Sequence, residues 1–188
     1  MSTSTRPALI ERLDPDRFVA AIPALAALLV DAVDDGASVG FLAGLTEPVA
    51  AEWWGARVAQ ILDGSTTAFV AIRPATEVDG PVERIVGSTL LIRASYPNGR
   101  HRAEVAKVLV HRSARRQGIG RALMTAVEEY ALADGRWLLL LDTQAGSAAE
   151  ALYRSMEWIE LGTLPNHAVQ PDGTLAATTY FWKDLRQG

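Results

Sequence analysis

The residues that can do chemistry are densest between Val105 and Met124. An apolar stretch, Val105 to Val110, runs into a basic turn, His111 to Gln117, then into Gly118-Ile119-Gly120 and an amphipathic continuation. A strand that ends in a glycine-punctuated turn and opens a helix leaves backbone N–H groups free at the helix mouth. The helix dipole favours an anion at the same place. Arg115, Arg116 and Arg121 lie around that mouth, so the pattern predicts a phosphate or pyrophosphate site. A Rossmann fingerprint would need a third glycine where Leu123 stands, and a P-loop would need Gly-Lys-Ser/Thr, which is absent. Neither a dinucleotide nor a nucleoside triphosphate fits the turn.

A second set of reactive side chains follows. Asp142 closes the apolar run Trp137 to Leu141, and Tyr153 lies in the next helical segment. Strand C-termini and the helix N-termini after them converge on ligands in parallel α/β arrangements. Glu104, in the strand before the turn, is a competing carboxylate. Each has a structural reading as well: an aspartate accepting backbone N–H groups beside the cap at Ser147, a core tyrosine, a solvent-facing strand glutamate. His101, His111 and His167 are too scattered to form a metal set. The chain has no cysteine, which excludes disulfides, thiolate metal sites and a covalent cysteine intermediate.

These residues need elements to carry them. The chain has 188 residues, 49% of them hydrophobic, which suits one domain with a sizeable core. A net charge of −4 argues against a nucleic-acid binder, so the arginines of the turn are a local feature. Residues 1–6 lack the apolar core of a signal peptide, and the apolar run Phe18 to Val30 contains Pro23 and is too short to span a bilayer. No membrane partner and a cytoplasmic location are expected.

The pattern predicts a strand over 8–13, a helix over 16–33 ended by Asp34-Asp35-Gly36, and a loop over 37–45. A helix capped by Thr46 should run to Asp63-Gly64. Strands at 66–73 and 84–94 read as an antiparallel hairpin with a turn at 77–81. A strand follows at 102–110. The helix after Gly118 shows Ile119, Leu123, Ala126, Val127 and Tyr130 on one stripe. Residues 137–141 read as a strand buried on both faces. Ser147 and Glu150 form a capping box, and two last strands, 157–162 and 174–183, flank a loop from Pro165 to Gly173. The order predicts an α/β (α+β) mixed sheet with helices on both faces.

The segment Arg115-Arg116-Gln117-Gly118-Ile119-Gly120 resembles the acetyl-CoA turn, Arg/Gln-x-x-Gly-x-Gly/Ala, of the GNAT superfamily of N-acetyltransferases. The strand-helix-strand-helix order over 104–156 and the helices and hairpin before it resemble the same superfamily. The resemblance implies a single acetyltransferase domain over 1–188, with a mixed, mostly antiparallel sheet whose central strands splay apart. It implies acetyl-CoA as co-substrate and no metal. The pyrophosphate would be gripped by Arg115, Arg116, Gln117, Gly118, Ile119, Gly120, Arg121 and Ala122. The pantetheine arm would pair with Leu109 and Val110, which is binding by strand addition. Tyr153 would protonate the leaving thiolate, Asp142 or Glu104 would take the proton of the acceptor ammonium, and a backbone N–H near Leu109 would hold the oxyanion. Transfer would be direct.

The C-terminal half is similar to a narrower group, the tabtoxin-resistance type of acetyltransferase. The similarity lies in Leu141-Asp-Thr143, Ser147, Ala149-Glu150, Tyr153, Trp158, Gly162, Leu164-Pro-Asn166 and Pro171-Asp-Gly173, with Gly36 to Val39 and Phe41 in the first half. That group acetylates the amine of a small amino-acid-like antibiotic. The expected acceptor is therefore a small-molecule amine, read by Asp35, Phe41, Trp54 (with its neighbour Trp53) and Glu104, in an enzyme that can pair as a homodimer. Two departures stand out. Glu157 occupies the group's usual glycine, and His167 a frequent tyrosine. Two alternatives remain open: a protein or peptide N-acetyltransferase, and a non-catalytic acyl-CoA-binding relative.

Overall fold

The computed structural model describes residues 7–74 and 83–187. Strand β1 (Leu9–Arg12) leads into helix α1 (Pro15–Asp34). Asp14 caps α1 by accepting the Arg17 N–H at 2.8 Å, and Pro15 sits in its first turn, where a missing N–H costs nothing. One stripe of α1, including Phe18, Leu25, Leu28 and Leu29, is buried. The expected second helix is two helices, α2 (Glu47–Gly55) and α3 (Val58–Leu62). The break has a local cause. Gly55 weakens the helix, and the Arg57 guanidinium turns back to donate to the Trp53 carbonyl and cap the end of α2.

Strands β2 (Thr66–Arg73) and β3 (Arg84–Arg93) pair antiparallel as expected. Their predicted turn, 77–81, lies outside the described residues. Then come β4 (Arg102–Val110), α4 (Ile119–Ala133), β5 (Leu138–Gln144), α5 (Ala148–Ser155), β6 (Ile159–Val169) and β7 (Leu175–Asp184). They complete a seven-stranded sheet in the order β1-β2-β3-β4-β5-β7-β6. One core lies under α1 to α3, with Phe18, Leu25, Trp54, Val70, Leu90 and Leu109. The other lies under α4 and α5, with Leu123, Val127, Leu139, Leu141, Tyr153 and Phe181. The mixed, mostly antiparallel sheet with helices on both faces is therefore present.

The junction of β4 and β5 is the one parallel pairing among these strands. It lasts only from Arg102↔Leu138 to Glu104↔Leu140. Beyond it β4 continues to Val110 and β5 to Gln144, so the central strands splay into a gap. Beside the gap β4 carries a bulge: Ser88 pairs with Leu109 but Leu90 with Ala106, and Lys107 takes φ +54°. The buried hydroxyls of Ser88 and Thr89 bond the Lys107 and Ala106 carbonyls at 3.2 and 3.3 Å, satisfying acceptors that the interrupted ladder releases.

Two expectations are corrected. The apolar run of β5 is buried on one face only, at Leu139 and Leu141; Leu138 and Leu140 are half-buried and Asp142 is exposed. The core on the far face, under α1 to α3, contains no residue of β5. The expected loop from Pro165 is instead a continuation of β6 to Val169. Pro165 is tolerated there because β6 is an edge strand and its ladder is interrupted between Leu164 and Ala168.

Candidate active site

The turn before α4 is built from backbone. No side chain caps the helix, and Gly118 stands at the cap position with φ +80°. A Cβ there would be strained, though it would meet nothing within 4 Å, so the turn opens to solvent. Arg116 is also left-handed, at φ +62°. Left-handed residues in a turn bring successive N–H groups to face a common centre. A Cβ on Gly120 would meet Leu152 Cδ2 at 3.1 Å, so glycine lets α4 start tight against α5. The first helical bond runs from Ala122 N–H to Gly118 O at 3.0 Å. The N–H groups ahead of it are left for a ligand, and that of Ala122 is already used. Ala122, expected in the anion site, has no backbone donor to offer it.

The arginines are placed differently from the expected ring. Arg115 pairs with Asp35 and donates from Nε to the Val110 carbonyl at 3.2 Å. Arg121 donates to Ser155 Oγ at 2.6 Å, leaving Arg116 with no ion pair or hydrogen bond among the described residues. Gln117 braces the turn: its Oε1 accepts from Arg73 at 2.7 Å and its Nε2 donates to Ser113 O at 3.3 Å. Arg112 clamps Asp31 of α1 through Nε and its own N–H. Asp35, expected to meet the acceptor ammonium, is therefore the turn's counter-ion, and the Arg115 guanidinium holds its carboxyl below the usual range.

At the end of β4, His111 N–H bonds Val86 O at 2.9 Å, which makes His111 a ladder residue on the β3 side. Alternation along the strand then turns the N–H and C=O of Val110 toward the gap and those of Leu109 toward Ser88. Of the two residues expected to line the pantetheine arm, Val110 faces the gap and Leu109 packs in the α1 core. An open strand edge thus leads from the helix mouth into the sheet.

Tyr153 and Asp142 come within electrostatic reach of each other beside this gap. Tyr153 is 4% exposed, tilted against Trp158 and Phe181 at 6.1 Å each. Its hydroxyl has no hydrogen-bond partner among the described residues. Burial, then the nearby charge of Asp142, push its pKa well up, so the hydroxyl keeps its proton. Asp142 stands directly across from Tyr180 on β7 and makes no hydrogen bond to the described residues, unlike the structural aspartate that its position near Ser147 also allowed. Glu104 opens onto the same face. The protein crowding it and the charge of Asp142 raise its pKa, with Lys107 opposing.

The side expected to receive the acceptor is lined by aromatic residues and cations. Trp54, expected to line it, is fully buried; its Nε1 donates to Leu25 O at 3.0 Å and it packs on Phe18. Its neighbour Trp53 is the half-exposed one, edge-on to Phe41 at 5.8 Å. Adjacent helix residues point about 100° apart, so only one of the pair can face the cleft. Arg57 stacks on Trp53 at 3.1 Å from the ring centroid, and Lys107 Nζ reaches it at 5.0 Å. Sequence reading missed Lys107 and Arg57. The cue for Lys107, a bulge, has no signature in one sequence, and Arg57 is recruited by a helix break.

The 37–45 loop reaches over this region: Ala43 N–H bonds Pro171 O, in the β6–β7 turn, at 3.2 Å. On that hairpin His167 bonds Thr178 Oγ1 at 3.1 Å and the Tyr180 hydroxyl at 2.9 Å. Among the described residues no cluster of three metal-ligand side chains exists, and no helix is long and apolar enough to cross a membrane.

The same architecture occurs in solved structures. A ribosomal-protein-alanine N-acetyltransferase from Brucella melitensis is 27% identical, with a TM-score of 0.71 over 94% of this chain and 99% of that one. A phosphinothricin acetyltransferase from Sinorhizobium meliloti, solved with acetyl-CoA, superposes at 0.75 with 17% identity over 95% of this chain and 89% of that one. YncA of Salmonella typhimurium, a putative acetyltransferase solved with acetyl-CoA, gives 0.72 with 19% identity over 96% and 95%. The acetyltransferase (GNAT) family matches residues 4–158, most of the chain. A splayed β4–β5 junction that opens onto a backbone-lined helix mouth, carried on a sequence that matches the family over this span, makes this chain a member of the GNAT acetyltransferase family.

Proposed function

We propose that the chain is an acetyl-CoA-dependent N-acetyltransferase that transfers the acetyl group directly to the primary amine of a small molecule. The gap between β4 and β5 carries this reading. It runs from the free N–H groups of residues 118–121, which suit a diphosphate, along the Val110 edge, whose N–H suits an amide-rich arm, to Tyr153 and Asp142. The bound thioester supplies an activated acetyl carbonyl.

The chain's own residues do the rest. The Val110 N–H is aimed to stabilise the carbonyl oxygen as charge develops on it. Glu104 and Asp142 draw the acceptor's ammonium, and the pair takes its proton. A carboxyl with a raised pKa is better matched to that task than an ordinary one. Tyr153, kept protonated by burial, gives its proton to the departing thiolate and regains one from the second proton that the acceptor nitrogen sheds as the amide forms.

The Ala43–Pro171 strap across the acceptor side favours a small acceptor over a long peptide. The likeness of residues 141–173 to the tabtoxin-resistance type, and the phosphinothricin acetyltransferase neighbour, support an amino-bearing antibiotic or toxin as acceptor, met in the cytoplasm. A peptide amine is the second reading, favoured by the ribosomal-protein-alanine N-acetyltransferase neighbour. Two measurements test the proposal. Acetyl-CoA should raise the melting temperature by mass action, and a thiol-release assay should show turnover with amino acids, aminoglycosides or polyamines. No thermal shift at saturating acetyl-CoA overturns it; turnover confined to peptides selects the second reading.

A further inference from the structure

Two cations meet on one indole in the acceptor cleft, and neither has a carboxylate of its own. Arg57 and Lys107 both rest on Trp53, so they lie no farther apart than the sum of their distances to its centroid, 3.1 and 5.0 Å. Among the described residues neither forms an ion pair, though the half-buried Lys183 and Arg93 both do. Both are half-buried. Burial lowers both pKa values, and the charge of Arg57 lowers that of Lys107 further.

Half-buried, mutually repelling cations with no ion-pair partner are costly, and a fold retains such a pair where a ligand completes it. The arrangement is also made deliberately. The bulge at φ +54° adds a residue to β4 and brings Lys107 to the Trp53 side, and two buried hydroxyls hold that bulge. The carboxylates facing Lys107 are Glu104 and Asp142, which it feels electrostatically without an ion pair. The cleft therefore presents two negative groups toward the gap and two positive groups toward α2.

We infer that Lys107 and Arg57, seated on Trp53, form a subsite for a carboxylate of the acceptor, so that the enzyme selects an amine that also carries an acid group. The inference rests on the proposed acetyl transfer. A zwitterion aligned in this field presents its ammonium to Glu104 and Asp142 and its carboxylate to the cation pair. A plain amine leaves the pair unpartnered. Phe41, edge-on to Trp53, closes the apolar side.

The test compares amino acids with their carboxamides and decarboxylated amines in the thiol-release assay, with wild type, Lys107→Met and Lys107→Arg. At least one amino acid should show a kcat/KM at least about tenfold above its carboxamide, since one charged hydrogen bond is worth 1.4 kcal/mol or more. Lys107→Met should raise KM for that acid about tenfold and erase the preference, with KM for acetyl-CoA kept, and Lys107→Arg should restore it. Carboxamides used as well as acids, or a preference that survives Lys107→Met, overturns the subsite. If no compound turns over, thermal titration of the enzyme with the same amino acids decides. Stabilisation lost in Lys107→Met supports the subsite, and no stabilisation overturns it. The acetyl-CoA thermal shift is read separately, so failure of the transfer reading is not mistaken for failure of the subsite.

Discussion

The turn that opens α4 and the cleft around Trp53 lie on opposite sides of one gap and are made by opposite means. The turn offers backbone. Its donors are N–H groups set by Gly118 and by the tight seat of Gly120, and its side chains mostly brace it: Arg115 to Asp35, Gln117 to Arg73, Arg121 to Ser155. The cleft offers side chains from α2, β4, β5 and the 37–45 loop. A backbone device needs a particular local conformation and so leaves a short motif. A side-chain device needs only convergence in space, which many sequences achieve. Relatives can therefore share the first and differ in the second.

That contrast can be broken experimentally, most sharply at the gap. Tyr153→Phe should lower kcat by about 10²–10⁴-fold with acetyl-CoA affinity nearly kept; a fully active variant removes the hydroxyl from the chemistry. Next comes the tryptophan pair. Trp54→Ala should cost about 3–5 kcal/mol of stability, measured by denaturant unfolding, because it empties a fully buried site. Trp53→Ala should cost far less stability and act on acceptor KM. Equal effects would erase the division between core and cleft drawn here. Gly118→Val should raise KM for acetyl-CoA about tenfold, in line with the loss of about 1–2 kcal/mol at a strained left-handed position, and leave acceptor KM alone.

The carboxylates give a pH test. Asp142's charge raises the Glu104 pKa, so Asp142→Asn should shift the acidic limb of the kcat/KM profile to lower pH; an unmoved limb excludes Glu104 as the group that takes the proton. The stability sign follows from the same shift. A carboxyl whose folded pKa is raised binds more protons in the native state, so stability falls as pH rises through that pKa. Glu104→Gln should therefore raise the melting temperature more at pH 8 than at pH 4. The smallest effect is at Glu157, held at φ +63° where the resembling group has glycine. Glu157→Gly should add about 0.5–1 kcal/mol by removing a side chain from left-handed backbone.

Much of the fold was legible because its elements have local causes: the Asp14 cap, the apolar stripe of α4, the Ser147 cap, whose Oγ accepts Glu150 N–H at 3.1 Å. The misreadings share one physical source. The two-faced burial expected of β5, the loop expected after Pro165 and the unbroken second helix each depend on what packs alongside, which periodicity does not encode. The same holds in the site. Gly118 and Gly120 could be read from spacing. Asp35 and Trp54 had the right residue types for an acceptor pocket but were claimed by Arg115 and by the α1 core. Lys107 lay inside an ordinary strand pattern, where only the bulge gives it a different role.

The three residue pairs that join β4 to β5 have a mechanical consequence. Strands β5, β7 and β6 form a flap, and this brief seam is its backbone attachment to the other four strands. A pantetheine chain laid along Val110 would add the missing rungs and latch the flap shut. The Val110 amide should then exchange slowly only with coenzyme bound, and letting the product go would mean unfastening the sheet itself.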